Sequence, residues 1–274
     1  MPSTVYYFNK EGIMRKLILL YIVICFSINS KGQENTKFKR KDSEISLISP
    51  MLLRMTSNTN SKVGSSTIIK AFSRYFLLTA AHVSVSMDDQ SYLWFANSDD
   101  TPNKILLKNL TINNEVRWYN HGIADLSMIE LKVPENESLK KIFESLAFPL
   151  ERIYTKKQAI KSYNSDVSYI GYPRIDLNME RFSTLHFIGR LASGFITQNR
   201  FDTNTPCVFI FMSSPSMQGC SGSGVYLGVD KGITLGPSET FMIGVMHGTA
   251  ADSTGGKMAM FTPAFYILDF FTKK

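Results

Sequence analysis

The chain has 274 residues, of which 44% are hydrophobic and 19% are charged, and its formal net charge is +7. This length suits one large β-rich domain or two small ones, and this composition excludes a disordered chain. The charge is mild, and the one dense basic cluster (residues 37–41) lies in a polar stretch, so no nucleic-acid partner is expected.

The first 32 residues have the order of a secretory signal peptide. Residues 14–16 begin with basic character, residues 17–26 are an apolar run, and small and polar residues follow up to Gly32. An apolar run of this length is too short to span a bilayer, although a short membrane anchor is the alternative. We therefore expect a signal peptide at 1–32, a polar leader at 33–46, a secreted or periplasmic protein and no stable membrane insertion.

After the leader, short β-rich runs alternate with turn residues. Strands are predicted at Thr67–Ile69, Tyr75–Leu78, Tyr92–Phe95, Val167–Ile170, Leu185–Ile188, Val208–Met212, Val225–Leu227 and Phe241–Val245. Many short strands at this spacing predict an all-β barrel or sandwich.

Two helices and one connection complete the predicted architecture. Residues 138–146 suit a surface helix, and residues 263–271 suit a short C-terminal helix with Thr262 as its N-cap. A stretch rich in Lys, Glu and Ser (residues 133–165) divides the chain into two parts of similar size. We interpret it as the connection between two β-barrels, one at residues 47–150 and one at residues 151–274.

The sequence GCSGSG at residues 219–224 places Ser221 among three glycines. A nucleophilic serine needs small neighbours so that a substrate carbonyl can approach, and it needs nearby N–H groups to hold an oxyanion. The spacing of Gly219 and Ser221 suits two such N–H groups. Alone, the motif is more typical of an ordinary turn.

Two further segments carry side chains that suit such a nucleophile. LLTAAH at residues 77–82 ends a hydrophobic strand in small residues and then His82, a support that a general base requires. GIADLSMIEL at residues 122–131 begins an alternating apolar segment with Asp125. Burial of an unpaired carboxylate is costly, so Asp125 needs a cationic or hydrogen-bonding partner, for which His82 is the candidate.

Together these three segments resemble the trypsin-like (chymotrypsin-fold) serine proteases. The order His, Asp, Ser is that of this fold, and the separations between the three residues are close to the family's. The resemblance covers roughly residues 47–272 and extends to GYP at 171–173 and to the strand at Ile243–Val245. It implies two antiparallel β-barrels with the active site between them, a catalytic triad of His82, Asp125 and Ser221, and an oxyanion hole at Gly219 and Ser221.

The sequence departs from the family at Cys220, where many animal members have an Asp that pairs with a newly cut N-terminus. A cysteine cannot accept that ion pair, so no activation of that kind is expected. Cys220 is not the expected nucleophile either, because Ser221 holds the register of the family serine. Whether Cys207 and Cys220 form a disulfide is open from the sequence.

By resemblance, the substrate-binding residues are Ser216, Met246, His247 and Thr249. No Asp stands at the pocket floor, so a preference for Lys or Arg is not supported. Preferences for glutamate and for a medium apolar side chain both stay open.

The expected activity is that of a secreted serine endopeptidase acting through an acyl-enzyme. The expected partners are protein or peptide substrates, the expected state is a monomer, and no cofactor and no metal are expected, since the histidines and cysteines lack ligand spacing. The alternative is a catalytically inactive or latent extracellular binding protein on the same fold.

Overall fold

The computed structural model describes residues 50–55, 61–96, 101–155, 165–172, 182, 184–227 and 240–272. These residues all belong to one compact unit, Arg40–Lys274. The predicted signal peptide and polar leader lie outside the described residues. Both stay predictions, as does the predicted boundary between two barrels after residue 150.

Strands dominate the described residues. They are β1 (Met51–Met55), β2 (Ser61–Ser65), β3 (Thr67–Ala71), β4 (Arg74–Thr79), β5 (Tyr92–Ala96), β6 (Pro102–Leu106), β7 (Tyr119–Asn120), β8 (Ser127–Leu131), β9 (Phe148–Pro149), β10 (Asp166–Gly171), β11 (Leu185–Arg190), β12 (Ile196–Asn199), β13 (Pro206–Met212), β14 (Gly224–Leu227), β15 (Phe241–Ala251) and β16 (Lys257–Pro263). The α-helices are α1 (Ala81–Ser84), α2 (Glu137–Leu146) and α3 (Asp269–Thr272). Four 3₁₀ segments also occur: Leu107–Leu110, Ile112–Asn114, Leu150–Arg152 and Ala264–Leu268.

Within the described part of the chain, the strands form three sheets. Their orders are β2-β1-β5-β6, β7-β8-β4-β3-β9 and β11-β10-β14-β15-β16-β13-β12. The pairings are antiparallel except for the short parallel contact of β3 with β9. The all-β prediction with a short C-terminal helix is confirmed. The sheets are consistent with two barrel-like halves, the first holding the two sheets of β1–β9 and the second the sheet of β10–β16, although no sheet closes on itself among these residues.

All eight predicted strands are present, and helix α2 begins one residue before the predicted start. The Asn136 side chain caps α2 by accepting a hydrogen bond from the Leu139 N–H at 3.0 Å. The predicted C-terminal helix is a 3₁₀ segment followed by α3, and its predicted N-cap is wrong. Thr262 instead lies in β16, where it pairs with Val245.

Buried apolar side chains gather in clusters on both sides of the sheets. One cluster joins the two halves, since it contains Phe76 and Leu78 of β4 together with Phe209 of β13 and Val245 of β15. Residues of β4 and β15 thus share a core. Among the described residues, none of the helices has the length and apolar character that crossing a membrane would require.

Candidate functional site

His82 lies in the first turn of α1, directly after β4. Its backbone N–H donates to Asp125 Oδ1 at 3.0 Å, and its Nδ1 lies 2.7 Å from Asp125 Oδ2. The two contacts fix both the main chain and the ring of His82 against one carboxylate. The His82 side chain remains 28% exposed, whereas Asp125 is fully buried. The ring therefore bridges a buried anion and the surface.

The loop that carries Asp125 is held by a second histidine. The N–H groups of Ile123 and Ala124 donate to His121 Nδ1 at 3.1 and 2.8 Å. His121 Nε2 lies 3.1 Å from Asp269 Oδ2, at the start of α3. Since Nδ1 accepts, the proton of this ring is on Nε2 and is donated to Asp269. The C-terminal helix thus anchors the loop that presents Asp125.

Asp125 has two more partners, neither of which the sequence indicated. His247 Nδ1 hydrogen-bonds to Asp125 Oδ2. The Arg200 guanidinium lies 3.4 Å from Asp125 Oδ1, and it also donates to the Ala124 carbonyl at 3.0 Å. A second carboxylate, Asp202, accepts from Arg200 Nε at 2.9 Å. The buried Asp125 carboxylate needs partners, and it is paired with two histidine rings and a guanidinium.

His247 lies in β15 where the register with β16 shifts between Met246 and Gly248. Such a bulge re-aims a side chain, and here the ring turns inward between Phe201 and Phe209, with centroids 4.8 Å away in each case. His247 is buried, and its Nε2 has no hydrogen-bond partner among the described residues. A neutral ring with its proton on Nδ1 satisfies both observations, so His247 donates to Asp125.

The charges of this cluster shift two pKa values in opposite directions. Burial alone would raise the pKa of Asp125, but the hydrogen bonds from His247 and His82 outweigh it and hold that pKa well below its usual range. Burial would lower the pKa of His82, but its hydrogen bond to Asp125 and the Asp125 charge raise it overall. Asp125 therefore stays an anion, and His82 titrates above its ordinary value.

Ser221 lies in a tight turn between the two halves of the molecule. The Ser65 N–H donates to the Ser221 carbonyl at 2.8 Å, and Ser65 Oγ donates to the Gly219 carbonyl at 2.9 Å. The Gly222 N–H donates to the Met246 carbonyl of β15 at 2.8 Å. The turn is thus fixed by hydrogen bonds from β2 on one side and to β15 on the other.

The predicted oxyanion hole consists of the N–H groups of Gly219 and Ser221. Neither donates to a partner within the described part of the chain. The Cys220 carbonyl accepts from the Ser223 N–H at 3.0 Å and from Ser223 Oγ at 2.6 Å. In a trans peptide the N–H points opposite to the C=O, so the Ser221 N–H faces away from Ser223.

Ser221 and His82 are not hydrogen-bonded to each other in this structure. Ser221 Oγ donates to the His247 carbonyl at 2.9 Å, and the His82 and His247 rings meet edge to face with centroids 5.3 Å apart. A rotation about the Ser221 side-chain bond would redirect the hydroxyl. Catalytic hydrogen bonds are often long or misaligned in unliganded enzymes, so this geometry does not oppose a Ser–His relay.

Both cysteines in the described residues are free thiols and buried, so they form no disulfide with each other. Burial raises the pKa of Cys220 to about 12 and that of Cys207 to about 11. A thiol with so high a pKa is a poor nucleophile at neutral pH. Of the two adjacent residues, Ser221 is therefore better suited to attack a carbonyl.

The four predicted substrate-binding residues occupy different environments. Ser216 and Thr249 are partly exposed and hydrogen-bond to each other, with their hydroxyl oxygens 2.8 Å apart. Met246 and His247 are both buried, and His247 points at Asp125 rather than at an open surface. Contact with substrate stays a prediction for all four, while the geometry associates His247 with Asp125.

Solved structures with the same fold include the Rv3671c protease of M. tuberculosis in its active form. That structure matches 83% of this chain and 80% of its own, with a TM-score of 0.51 and 13% identity. Its serine-to-alanine mutant in an inactive form covers 86% and 91%, with the same TM-score and identity. The chain therefore has a trypsin/chymotrypsin-like protease fold.

The likeness lies in the fold and not in the sequence as a whole. No protein-family model matches this sequence, and no curated protein matches it either. The protease-like fold is thus shown by the structure comparison, and the chemistry has to be argued from the residues described above.

The site also contains a group of side chains that could hold a cation. Ligand atoms of His82, Asp125 and His247 all lie within 4.8 Å of one another. Both Nδ1 atoms are already within hydrogen-bond distance of the carboxylate, and Arg200 brings a positive charge to it. This arrangement favours protons over a metal ion, and the expected absence of a metal stays a prediction.

Proposed function

We propose that the chain is a secreted serine endopeptidase with His82, Asp125 and Ser221 as its catalytic triad. The observation that carries the proposal is the buried Asp125 carboxylate bound to both the backbone and the ring of His82. This pair lies beside a turn that offers a serine hydroxyl and two unpaired N–H groups. The expectation of secretion rests on the signal-peptide pattern of residues 1–32.

In the first step, Ser221 Oγ attacks the carbonyl carbon of the scissile peptide. His82 Nε2 takes the hydroxyl proton, and the carbonyl oxygen becomes an oxyanion held by the N–H groups of Gly219 and Ser221. The intermediate then expels the amine, which takes the proton from His82. The products of this half are a free amine and an ester between Ser221 and the acyl part of the substrate.

In the second step, water attacks the ester carbonyl and gives a proton to His82. Collapse of the second intermediate breaks the bond to Ser221 Oγ, which recovers its proton from His82. The substrate leaves as a carboxylic acid. The enzyme returns to its starting state, so the reaction consumes one water for each bond cleaved.

Asp125 acts on this cycle through His82. Its carboxylate accepts the Nδ1 proton, which leaves Nε2 free to act as the base, and it stabilises the imidazolium that forms. His247 and Arg200 hold the carboxylate in place. Because the pKa of Asp125 lies well below its usual range, the carboxylate remains charged throughout neutral pH.

Labelling with a fluorophosphonate probe tests the nucleophile. Residues 33–274 and their Cys220→Ala variant should be labelled and should hydrolyse peptides, whereas Ser221→Ala should do neither. Cys220→Ala is the matched control, because it changes the neighbouring buried side chain and leaves the hydroxyl in place. Labelling of folded Ser221→Ala would contradict the proposed nucleophile. A folded wild-type chain that takes up no label would favour the latent or inactive binding protein.

The pH dependence of kcat/KM should report the pKa of His82. The base must be neutral, so kcat/KM should rise with pH and level off above the pKa of His82. The Asp125 contact raises this pKa, so the midpoint should lie above about 6.5, the ordinary value for histidine. Rates of peptide hydrolysis and of fluorophosphonate labelling, measured from pH 5 to 9, should share this midpoint. A midpoint well below the ordinary value would refute the assigned coupling.

A further inference from the structure

Thr249 and Ser216 tie together the two segments that would flank a substrate side chain. The Ser216 N–H donates to Thr249 Oγ1 at 3.0 Å, Thr249 Oγ1 donates to the Ser216 carbonyl at 2.9 Å, and the hydroxyl oxygens are 2.8 Å apart. One segment is the turn that leads to Ser221, and the other is β15. A single threonine side chain therefore bridges the gap between them.

The proposed chemistry, on which this inference rests, indicates where the bridge lies relative to a bound substrate. Ser221 Oγ lies 2.9 Å from the His247 carbonyl, so the carbonyl carbon under attack lies beside β15 at that point. The Gly219 and Ser221 N–H groups fix its oxygen on the side of the turn. We infer that the side chain of the residue that supplies the carbonyl enters between β15 and residues 215–219, where Thr249 meets Ser216.

Further contacts lie behind the bridge. The Ala259 N–H of β16 donates to the Ser214 carbonyl at 3.0 Å, which closes the same gap one step deeper. Ala259 is paired with Thr249 across β15 and β16. The side chains of Met212 and Met246 are fully buried in the adjoining cluster. A long side chain would have to break these hydrogen bonds or displace packed core.

The chemistry of the bridge also disfavours charged side chains. The Thr249 hydroxyl already has partners on Ser216, so a glutamate carboxylate would bind it only by breaking these hydrogen bonds. Among the residues of the bridge and the layer behind it, none is charged, so nothing would pair with Lys or Arg. What remains is a shallow site for a side chain of at most two heavy atoms.

We propose that the Thr249–Ser216 bridge restricts the residue before the scissile bond to a small one, namely Gly, Ala or Ser. The wild-type chain should cleave after these residues. Substrates with leucine, phenylalanine, glutamate or lysine at this position should react on the order of 10²-fold more slowly. The site cannot admit these side chains without loss of its internal hydrogen bonds.

Peptide phosphonate diphenyl esters that differ only at this residue provide the test, read as rates of Ser221 phosphonylation by intact mass. The wild-type rate should be highest with the alanine probe. Thr249→Gly should raise the leucine and phenylalanine rates relative to alanine by at least about tenfold. Thr249→Ser keeps the bridging hydroxyl and should keep the wild-type order. If Thr249→Gly does not fold, the order of rates in the wild type and in Thr249→Ser still tests the preference for a small residue.

The outcomes separate this inference from the proposed function. The wild type could react rapidly with a fluorophosphonate and yet react fastest with the leucine, phenylalanine, glutamate or lysine phosphonate. That result would overturn the proposed selectivity and leave the proposed protease function standing. Failure of folded wild type to react with any probe would overturn the protease and the inference with it. An unchanged order in folded Thr249→Gly would show that Thr249 does not set the selectivity.

Discussion

Asp125→Asn should lower kcat by roughly 10⁴-fold with little change in KM. The asparagine amide would place an N–H against His82 Nδ1, where the carboxylate now accepts. The His82 ring would then hold its proton on Nε2, the atom that must receive the proton of Ser221. The substitution would also remove the anion that now faces Arg200 and His247 within the same buried site.

The matched control for this substitution is Asp202→Asn. Asp202 also binds Arg200, through contacts of 2.9 and 2.6 Å, but it has no hydrogen bond with His82. Its substitution should change kcat by less than about tenfold. Steady-state kinetics on both variants, with circular dichroism to verify folding, measures the difference. A folded Asp125→Asn enzyme with more than a tenth of wild-type kcat would contradict the assigned role of Asp125.

Local sequence patterns predicted eight of the sixteen strands in the described residues. Runs such as Val208–Met212 and Val225–Leu227 consist mostly of β-branched and aromatic residues, are bounded by turn residues, and lie in β13 and β14. The exposed strand β12 has no such apolar run and was not predicted. It forms because its backbone pairs with β13, with Ile196 opposite Phe209, and this pairing depends on the distant partner.

The predicted cap at Thr262 failed for a related reason. A threonine followed by proline is typical of a helix start, and residues 264–268 do turn there. The ladder of β16 nevertheless continues through Thr262 to Pro263, because Val245 and Gly244 pair with them. Long-range pairing outweighed the local preference, which is a weak one.

The residues of the site likewise differ in whether a local sequence pattern reveals them. The segments of His82, Asp125 and Ser221 each carry a local pattern, and the structure brings the first two into direct contact. Arg200 reaches Asp125 from a hairpin 75 residues away and has no pattern of its own. His247 was assigned to substrate, since nothing in the sequence reveals that a bulge in β15 turns its ring toward Asp125.

Gly222→Ala should destabilise the protein by more than about 3 kcal/mol. Gly222 has a φ of +92°, a conformation that side chains disfavour. A Cβ atom at this position would lie 2.1 Å from the Ser65 carbonyl oxygen and 2.2 Å from Thr79 Oγ1. These two atoms are hydrogen-bonded to each other at 2.7 Å, so neither moves without loss of that bond. Thermal and urea unfolding give the size of the loss.

Gly255→Ala separates the effect of the clash from the effect of backbone strain. Gly255 has nearly the same φ, +94°, but a Cβ atom there would meet nothing within 4 Å. Its substitution should cost only the strain of about 1 to 2 kcal/mol and should leave fluorophosphonate labelling unchanged. Equal losses for the two variants would show that the contact of the Ser221 turn with Ser65 and Thr79 is not tight. A much larger loss at Gly222 would show that close packing between the two halves of the molecule holds the serine in place.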